Sequence, residues 1–211
     1  MNNMISNVPR ERSTVTYSHT WWDKAFTDDE LTKIIGYCDD IGTERAHILG
    51  TDKSDADKIE KVRRCDIKFH HRNENTAWIF DKLNNVITSL NNQFYGFDLN
   101  GYDAFQYTSY NSAESGEYGW HMDTCMGGSH LPTEMIEPRK LSLTFLLNDP
   151  VDDFDGGKFQ INGGNEHDAE TLDIPKGRII AFPSFMLHRI TPVTRGFRKS
   201  IVVWVVGPKF R

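Results

Sequence analysis

The chain has 211 residues, the size of one ordinary domain, and its 13 Phe, 7 Tyr and 5 Trp supply enough large side chains for a sizeable core. Its net charge of -6, from 24 basic and 30 acidic residues, gives no general electrostatic footprint for a phosphate backbone, which argues against nucleic acid as a partner. Cys38, Cys65 and Cys125 are too irregularly spaced for a disulfide framework or a Cys-x-x-Cys metal site, and no run approaches the roughly 18 apolar residues of a membrane span, so a soluble, cytoplasmic protein is expected.

Thr27-Asp28-Asp29-Glu30 is a capping box, in which a hydroxyl and a carboxylate three residues apart satisfy the first backbone donors of a helix. Leu31, Ile34, Ile35 and Cys38 then form one apolar face. The segment His47 to Phe69 reads as two strands joined by a polar loop over Asp52 to Glu60, the second strand being VRRCDIKF. Its basic residues Lys61, Arg63, Arg64, Lys68 and Arg72 are the one hint of nucleic acid, but strand alternation scatters them over two faces. A second helix is predicted from about Asn75 to Asn92, with Ile79, Leu83, Val86, Ile87, Leu90 and Phe94 recurring at spacings of three and four.

From Tyr102 the period changes to two. The runs DAFQYTSY, YGWHMD, KLSLTFLLND, GKFQI, AETLDI, RIIAF and SIVVWVV are separated by Gly, Pro, Asn and Asp clusters, which predicts a mainly β fold, a sandwich or jelly roll, covered by the two helices. Asp155-Gly156-Gly157 and Asn162-Gly163-Gly164 precede strands and read as turns.

Within this frame His121 and Asp123 are two apart in YGWHMD, so in a strand both point to one face and can share a metal. His188, 65 positions beyond Asp123, is the third candidate ligand. Two imidazoles and one carboxylate leave open positions on an ion, the arrangement of non-haem Fe(II) oxygenases, although zinc or manganese can also bind it. Ten positions after His188, Arg198 offers a planar fork that takes a carboxylate in a bidentate pair, which Lys199 cannot do. The other histidines, His19, His47, His70, His71, His130 and His167, have no partner at ligand spacing, and His70 and His71 fall on opposite faces of a strand. Cys125 reads as a small, partly buried thiol.

His-x-Asp, a distant His and Arg-x-Ser ten residues later resemble the 2-oxoglutarate/Fe(II) oxygenases of the prolyl-hydroxylase type, the PKHD-type bacterial and phage hydroxylases above all. The resemblance spans about residues 100 to 208, through FQYTSYNSAESGEYGWHMD, LSLTFLLNDP, DFDGGKF and AFPSFMLHRITPVTRGFRKSIVVWVV, and VRRCDIKF is similar too. It implies a double-stranded β-helix (jelly roll, cupin-like) with two supporting helices. One domain over 1–211 is expected, with support over about 15–100 and the catalytic core over about 101–208.

The same resemblance implies Fe(II), 2-oxoglutarate as co-substrate, O2, and ascorbate as a candidate reductant. The implied reaction is hydroxylation, with release of succinate and CO2, of a peptide or small-molecule substrate, a peptidyl residue such as proline first. A free amino acid or alkylated nucleobase, or a non-catalytic metal-binding jelly roll, stands as the alternative. His121, Asp123 and His188 become metal ligands, Arg198 and Ser200 hold the co-substrate, and Trp204 matches an aromatic near the site. The tyrosine that hydrogen-bonds the co-substrate matches Tyr110 best, with Tyr107 the near alternative. The loop over Asp52 to Glu60 is expected to act as a substrate lid. Oligomeric state is left open.

Overall fold

The computed structural model describes residues 17–46, 61–124, 137–162 and 168–209. The lid expected at Asp52 to Glu60, together with Cys125, His47, His130, His167, Gly163 and Gly164, lies outside the described residues.

Two antiparallel sheets face each other. The larger has the order β1 (Thr20–Trp22), β11 (Ile179–Pro183), β7 (Arg139–Leu146), β13 (Val193–Val206), β5 (Ala104–Asn111), β4 (Asp66–His71) and β2 (Glu44–Arg45), with β8 (Phe154–Gly156) paired to the start of β13. The smaller runs β10 (Ala169–Leu172), β9 (Phe159–Asn162), β12 (Leu187–Ile190), β6 (Glu117–His121) and β3 (Arg63–Arg64).

The larger sheet is buried on both faces, so its strands separate two cores by simple alternation. Toward the helices point Phe105 and Tyr107 of β5, Leu141, Leu143 and Phe145 of β7, and Ile201, Val203 and Val205 of β13. Against them pack helix α1 (Asp28–Ile41) through Leu31, Ile34 and Cys38, and α2 (Ala77–Leu90) through Ile79, Leu83, Val86, Ile87 and Leu90. Burying each such side chain contributes about 1.5–3 kcal/mol, which outweighs the modest propensity of these two helices. The opposite face supplies Tyr110, Leu146, Ile180 and Phe182, which meet Phe159, Ile161 and Ile190 of the smaller sheet in the second core.

Helix α1 starts as the capping box predicts: Thr27 N–H donates to Glu30 Oε2 at 2.8 Å, and Glu30 N–H to Thr27 Oγ1 at 3.3 Å. Helix α2 begins at Ala77 and runs into a wider π turn, Asn91–Tyr95, that ends at Gly96 with φ 64°. His70 is buried and His71 exposed, as their alternation requires.

Two sequence readings need correction. VRRCDIKF is not one strand: β3 pairs with β6 in the smaller sheet, while β4 pairs with β5 and β2 in the larger. The chain changes sheet at the buried Cys65, because each half finds an open strand edge on a different layer. Strand β1, pairing Trp21 with Ile180, was not predicted; three residues are too few to show a period.

Candidate active site

Strand β6 delivers His121 and β12 delivers His188, and their register makes the two residues direct cross-strand partners. The sequence reading put Asp123 on the same strand as His121, but β6 ends at His121 and Asp123 lies in the bend just beyond. Strand alternation therefore does not aim Asp123. Its backbone N–H donates to Ser184 O at 2.9 Å and that of Thr124 to the same oxygen at 3.0 Å, which ties the bend to the β11–β12 turn. Ser142 Oγ donates to Asp123 Oδ2 at 2.7 Å and also contacts Ser184 Oγ at 2.9 Å.

The three side chains present one ligand atom each, all within 4.8 Å of one another. Asp123 Oδ1 lies 3.7 Å from His121 Nε2, and Oδ2 lies 3.6 Å from His188 Nε2. Each imidazole turns its other nitrogen to a backbone carbonyl, His121 Nδ1 to Gly119 O at 2.8 Å and His188 Nδ1 to Met186 O at 2.9 Å. With Nδ1 carrying the proton, both Nε2 lone pairs face the common point, which is how ligating histidines are oriented.

Electrostatics agree with this. Burial, and then the neighbouring His188, push the His121 imidazole down to about 3, so it is neutral and able to ligate. Burial alone would raise the Asp123 carboxyl; His188, His121, the Ser142 hydroxyl and Arg139 outweigh it and hold the group below the ordinary carboxylate range. A buried anion between two imidazole lone pairs, with open space beside it, suits a divalent cation bound on one face.

That space is a cavity that runs from the three ligands to Arg198 and includes Tyr110, Ser200 and Trp204 on its wall. Arg198 is fully buried, with Nε donating to Gly157 O at 3.0 Å and Nη1 to Ser200 Oγ at 2.8 Å. No carboxylate faces it among the described residues. An isolated buried guanidinium is costly, and a carboxylate ligand in the cavity would neutralise it.

Alternation places the two candidate tyrosines on opposite faces of β5. Tyr110 is the cross-strand partner of Arg198 and stacks under its guanidinium at 5.4 Å. Tyr107, three residues away, points through the sheet into the helix-side core, where its hydroxyl donates to Asp39 Oδ1 at 2.6 Å. Ser200 touches Arg198 directly. The Trp204 ring carries the Arg139 guanidinium at 3.9 Å, and its buried Nε1 has no hydrogen-bond partner among the described residues.

Sequence reasoning missed Ser142, Gly157, Tyr118 and Arg63. Ser142 had a signal: Ser142 and Thr144 are the polar positions of KLSLTFLL and share one face, unusual for a strand buried on both. Gly157 has φ +55°, and a Cβ there would lie 2.7 Å from Arg198 Cδ, so a side chain would displace the arginine. Tyr118 stacks on His121 with ring centroids 3.5 Å apart.

Residues 105–206 match the family model described as 2OG-Fe(II) oxygenase superfamily. A stretch of the chain is 34% identical over 90 residues to a PKHD-type hydroxylase of Teredinibacter turnerae, covering 43% of this chain and 38% of that protein. Another is 36% identical over 97 residues to a PKHD-type hydroxylase of Xylella fastidiosa, covering 44% and 40%. The chain thus spans about two fifths of the length of these relatives.

Solved structures carry the fold further. A Pseudomonas putida prolyl-4-hydroxylase superposes with a TM-score of 0.67 at 16% identity, over 92% of this chain and 95% of that one. A Trichoplax adhaerens prolyl hydroxylase, in complex with a hypoxia inducible factor oxygen degradation domain peptide fragment, gives 0.68 at 15% identity over 90% and 83%. The double-stranded β-helix expected from the sequence is the observed fold. Among the described residues, no helix is long and apolar enough to cross a membrane.

Proposed function

We propose that this chain is an Fe(II)- and 2-oxoglutarate-dependent dioxygenase that hydroxylates an organic substrate, a peptidyl residue such as proline, with release of succinate and CO2. The observation that carries the proposal is the opening of one cavity onto both a His-Asp-His ligand set and a buried arginine with no described acid partner. A peptide substrate is supported by the fold shared with a prolyl hydroxylase bound to a peptide fragment. Residues of about 101–208 would form the catalytic core and those of about 15–100 its support, in one domain.

In this reading His121, Asp123 and His188 hold the iron. When bound, iron with 2-oxoglutarate supplies the oxidising chemistry, in which O2 is consumed, the keto acid becomes succinate and CO2, and oxygen enters a substrate C–H bond. The chain supplies orientation. Arg198, braced by Gly157 O and Ser200 Oγ, takes the distal carboxylate, which sets the reach of the co-substrate toward the ligands. Tyr110, under the Arg198 guanidinium, would lie beside a carboxylate held there. Phe159 packs face-on and Phe182 edge-on against His188, with centroids at 5.5 and 4.7 Å, and they shield the ligand set on that side. Ser142 fixes the Asp123 carboxylate, and no side chain of the site needs to move a proton.

The test is incubation with Fe(II), 2-oxoglutarate and a peptide and metabolite library under O2, following succinate and mass gains of about 16 Da, with Asp123→Ala as control. Succinate that depends on Asp123 supports the oxygenase. A protein that binds metal yet forms none under any condition is a binding module.

A further inference from the structure

Arg63 is a second buried cation on the wall of the same cavity, and nothing in the proposed reaction uses it. It is 7% exposed, on β3 at the edge of the smaller sheet. Its Nε donates to Cys65 Sγ at 3.1 Å, and its guanidinium lies 4.5 Å over the Tyr118 ring, which in turn stacks on His121. A thiol is a weak acceptor, and no carboxylate faces Arg63 among the described residues. The next residue, Arg64, points the other way and pairs with Glu117.

The charges of the site leave this arginine unanswered. A divalent ion and a dicarboxylate co-substrate offset one another, and Asp123 offsets Arg198. Arg63 then keeps one positive charge at the described wall, beside the metal ligands. The half-buried Arg139 over Trp204 only adds to it. A buried guanidinium on a cavity wall is stabilised by an anion that completes the pair. The Nε bond to Cys65 and the contact over Tyr118 hold the guanidinium in place, so such an anion meets a side chain that is already positioned.

We propose that Arg63 recognises a carboxylate of the substrate, and hence that the hydroxylated group belongs to a molecule carrying one negative charge close to the oxidised carbon. The inference rests on the oxygenase reading and adds a substrate class to it. The carboxylate could be an α-carboxylate, of a free amino acid or a chain terminus, or the side chain of an Asp or Glu; both present the same two oxygens to the fork.

The test is calorimetric and needs no turnover. Protein loaded with Mn(II) and 2-oxoglutarate is titrated with two sets of probes: N-acetyl amino acids against their amides, and the α-amides of N-acetyl-aspartate and N-acetyl-glutamate against those of N-acetyl-asparagine and N-acetyl-glutamine. At least one carboxylate probe should bind about tenfold or more tightly than its amide, the size of a charge-assisted hydrogen bond. The set in which it does so names the source. In Arg63→Met that preference should fall to about one, and Arg63→Lys should recover part of it, while 2-oxoglutarate affinity stays as in the parent. The proposal is overturned if no carboxylate probe outbinds its amide, or if Arg63→Met keeps the preference. It is also overturned if Arg63→Met loses 2-oxoglutarate as Arg198→Met does, since Arg63 would then serve the co-substrate. Failure of the oxygenase reading looks different: neither Mn(II) nor 2-oxoglutarate binds in a manner that depends on Asp123 and Arg198.

Discussion

Gly157→Ala should weaken 2-oxoglutarate binding without touching the metal ligands. The backbone there has φ +55°, where an L side chain costs roughly 1–2 kcal/mol. The added methyl would stand 2.7 Å from Arg198 Cδ and 3.0 Å from Val193 Cγ2. Arg198 cannot swing aside freely, because its Nε is bonded to Gly157 O itself and its Nη1 to Ser200. The guanidinium must therefore shift, and a bidentate carboxylate pair loses at least one charge-assisted hydrogen bond, about 1.5–3 kcal/mol, or a Kd raised about 10- to 150-fold. The assay is calorimetric titration of 2-oxoglutarate into Mn(II)-loaded protein, with a Mn(II) titration alongside to show that the ligand set is intact. Backbone strain should also lower the Tm by about 2–8 °C. Gly207→Ala is the matched control: its Cβ would meet Asp98 O at 2.1 Å, just past the end of β13 and away from Arg198, so it should cost stability and leave the Kd of the folded protein unchanged. A Gly157→Ala protein that binds 2-oxoglutarate within about twofold of the parent would refute the reasoning, because Arg198 would then not depend on this close approach.

Ser142→Ala removes the donor to Asp123 Oδ2 and should weaken Mn(II) or Fe(II) binding about 10- to 100-fold, the usual effect of losing a partner of a metal ligand; unchanged metal affinity in a chelator competition would count against it. Tyr107→Phe and Tyr110→Phe should separate cleanly. The first loses the bond to Asp39 and about 1 kcal/mol of stability in urea with 2-oxoglutarate affinity intact, and the second weakens 2-oxoglutarate with little change in stability. The reverse pattern would reassign the tyrosine. Lys82, and then the Thr27 backbone, hold the Glu30 carboxyl below its ordinary value. A depressed folded-state pKa gives stabilisation that is whole above the unfolded value of about 4.3 and lost as pH falls through the folded one. The stability gap between the parent and Glu30→Gln should therefore be full at neutral pH and close in strong acid, read from urea midpoints across that range; a gap that persists in acid would show that the carboxylate charge is not its source.

The ligand set was legible in the sequence because its chemistry is concentrated: His-x-Asp, a distant His, and an arginine at a fixed offset need few residues. The strand alternation used to join His121 to Asp123 was the wrong reason for a correct pairing, since the bend after β6 and Ser184 aim the carboxylate. Tyr110 and Tyr107 could not be separated until Arg198 had a cross-strand partner, because alternation tells that the two differ in face but not which face holds the site. Both helices were legible from their periodic apolar residues and the Thr27 box. Arg63 was not, as its burial depends on the chain changing sheets at Cys65. That change is decided by which strand edges are left open, a property of the whole fold and of no local run.

Strand β13 has a consequence for how such a site can be altered. Arg198, Ser200, Val202 and Trp204 are successive same-face positions on it, and all four line the cavity. Spaced by two residues, they act as the marks of a measuring rod about 6.6 Å apart, with roughly 20 Å between the first and the last. The buried Arg198 sits at one end and Trp204 at the other, while Ile201 and Val203 grip the helix-side core in between. Exchanging the side chain at one mark would lengthen or shorten the chamber without disturbing its backing. Deleting a single residue between Arg198 and Trp204 would turn part of the rod over, sending marks into the core and core residues into the chamber.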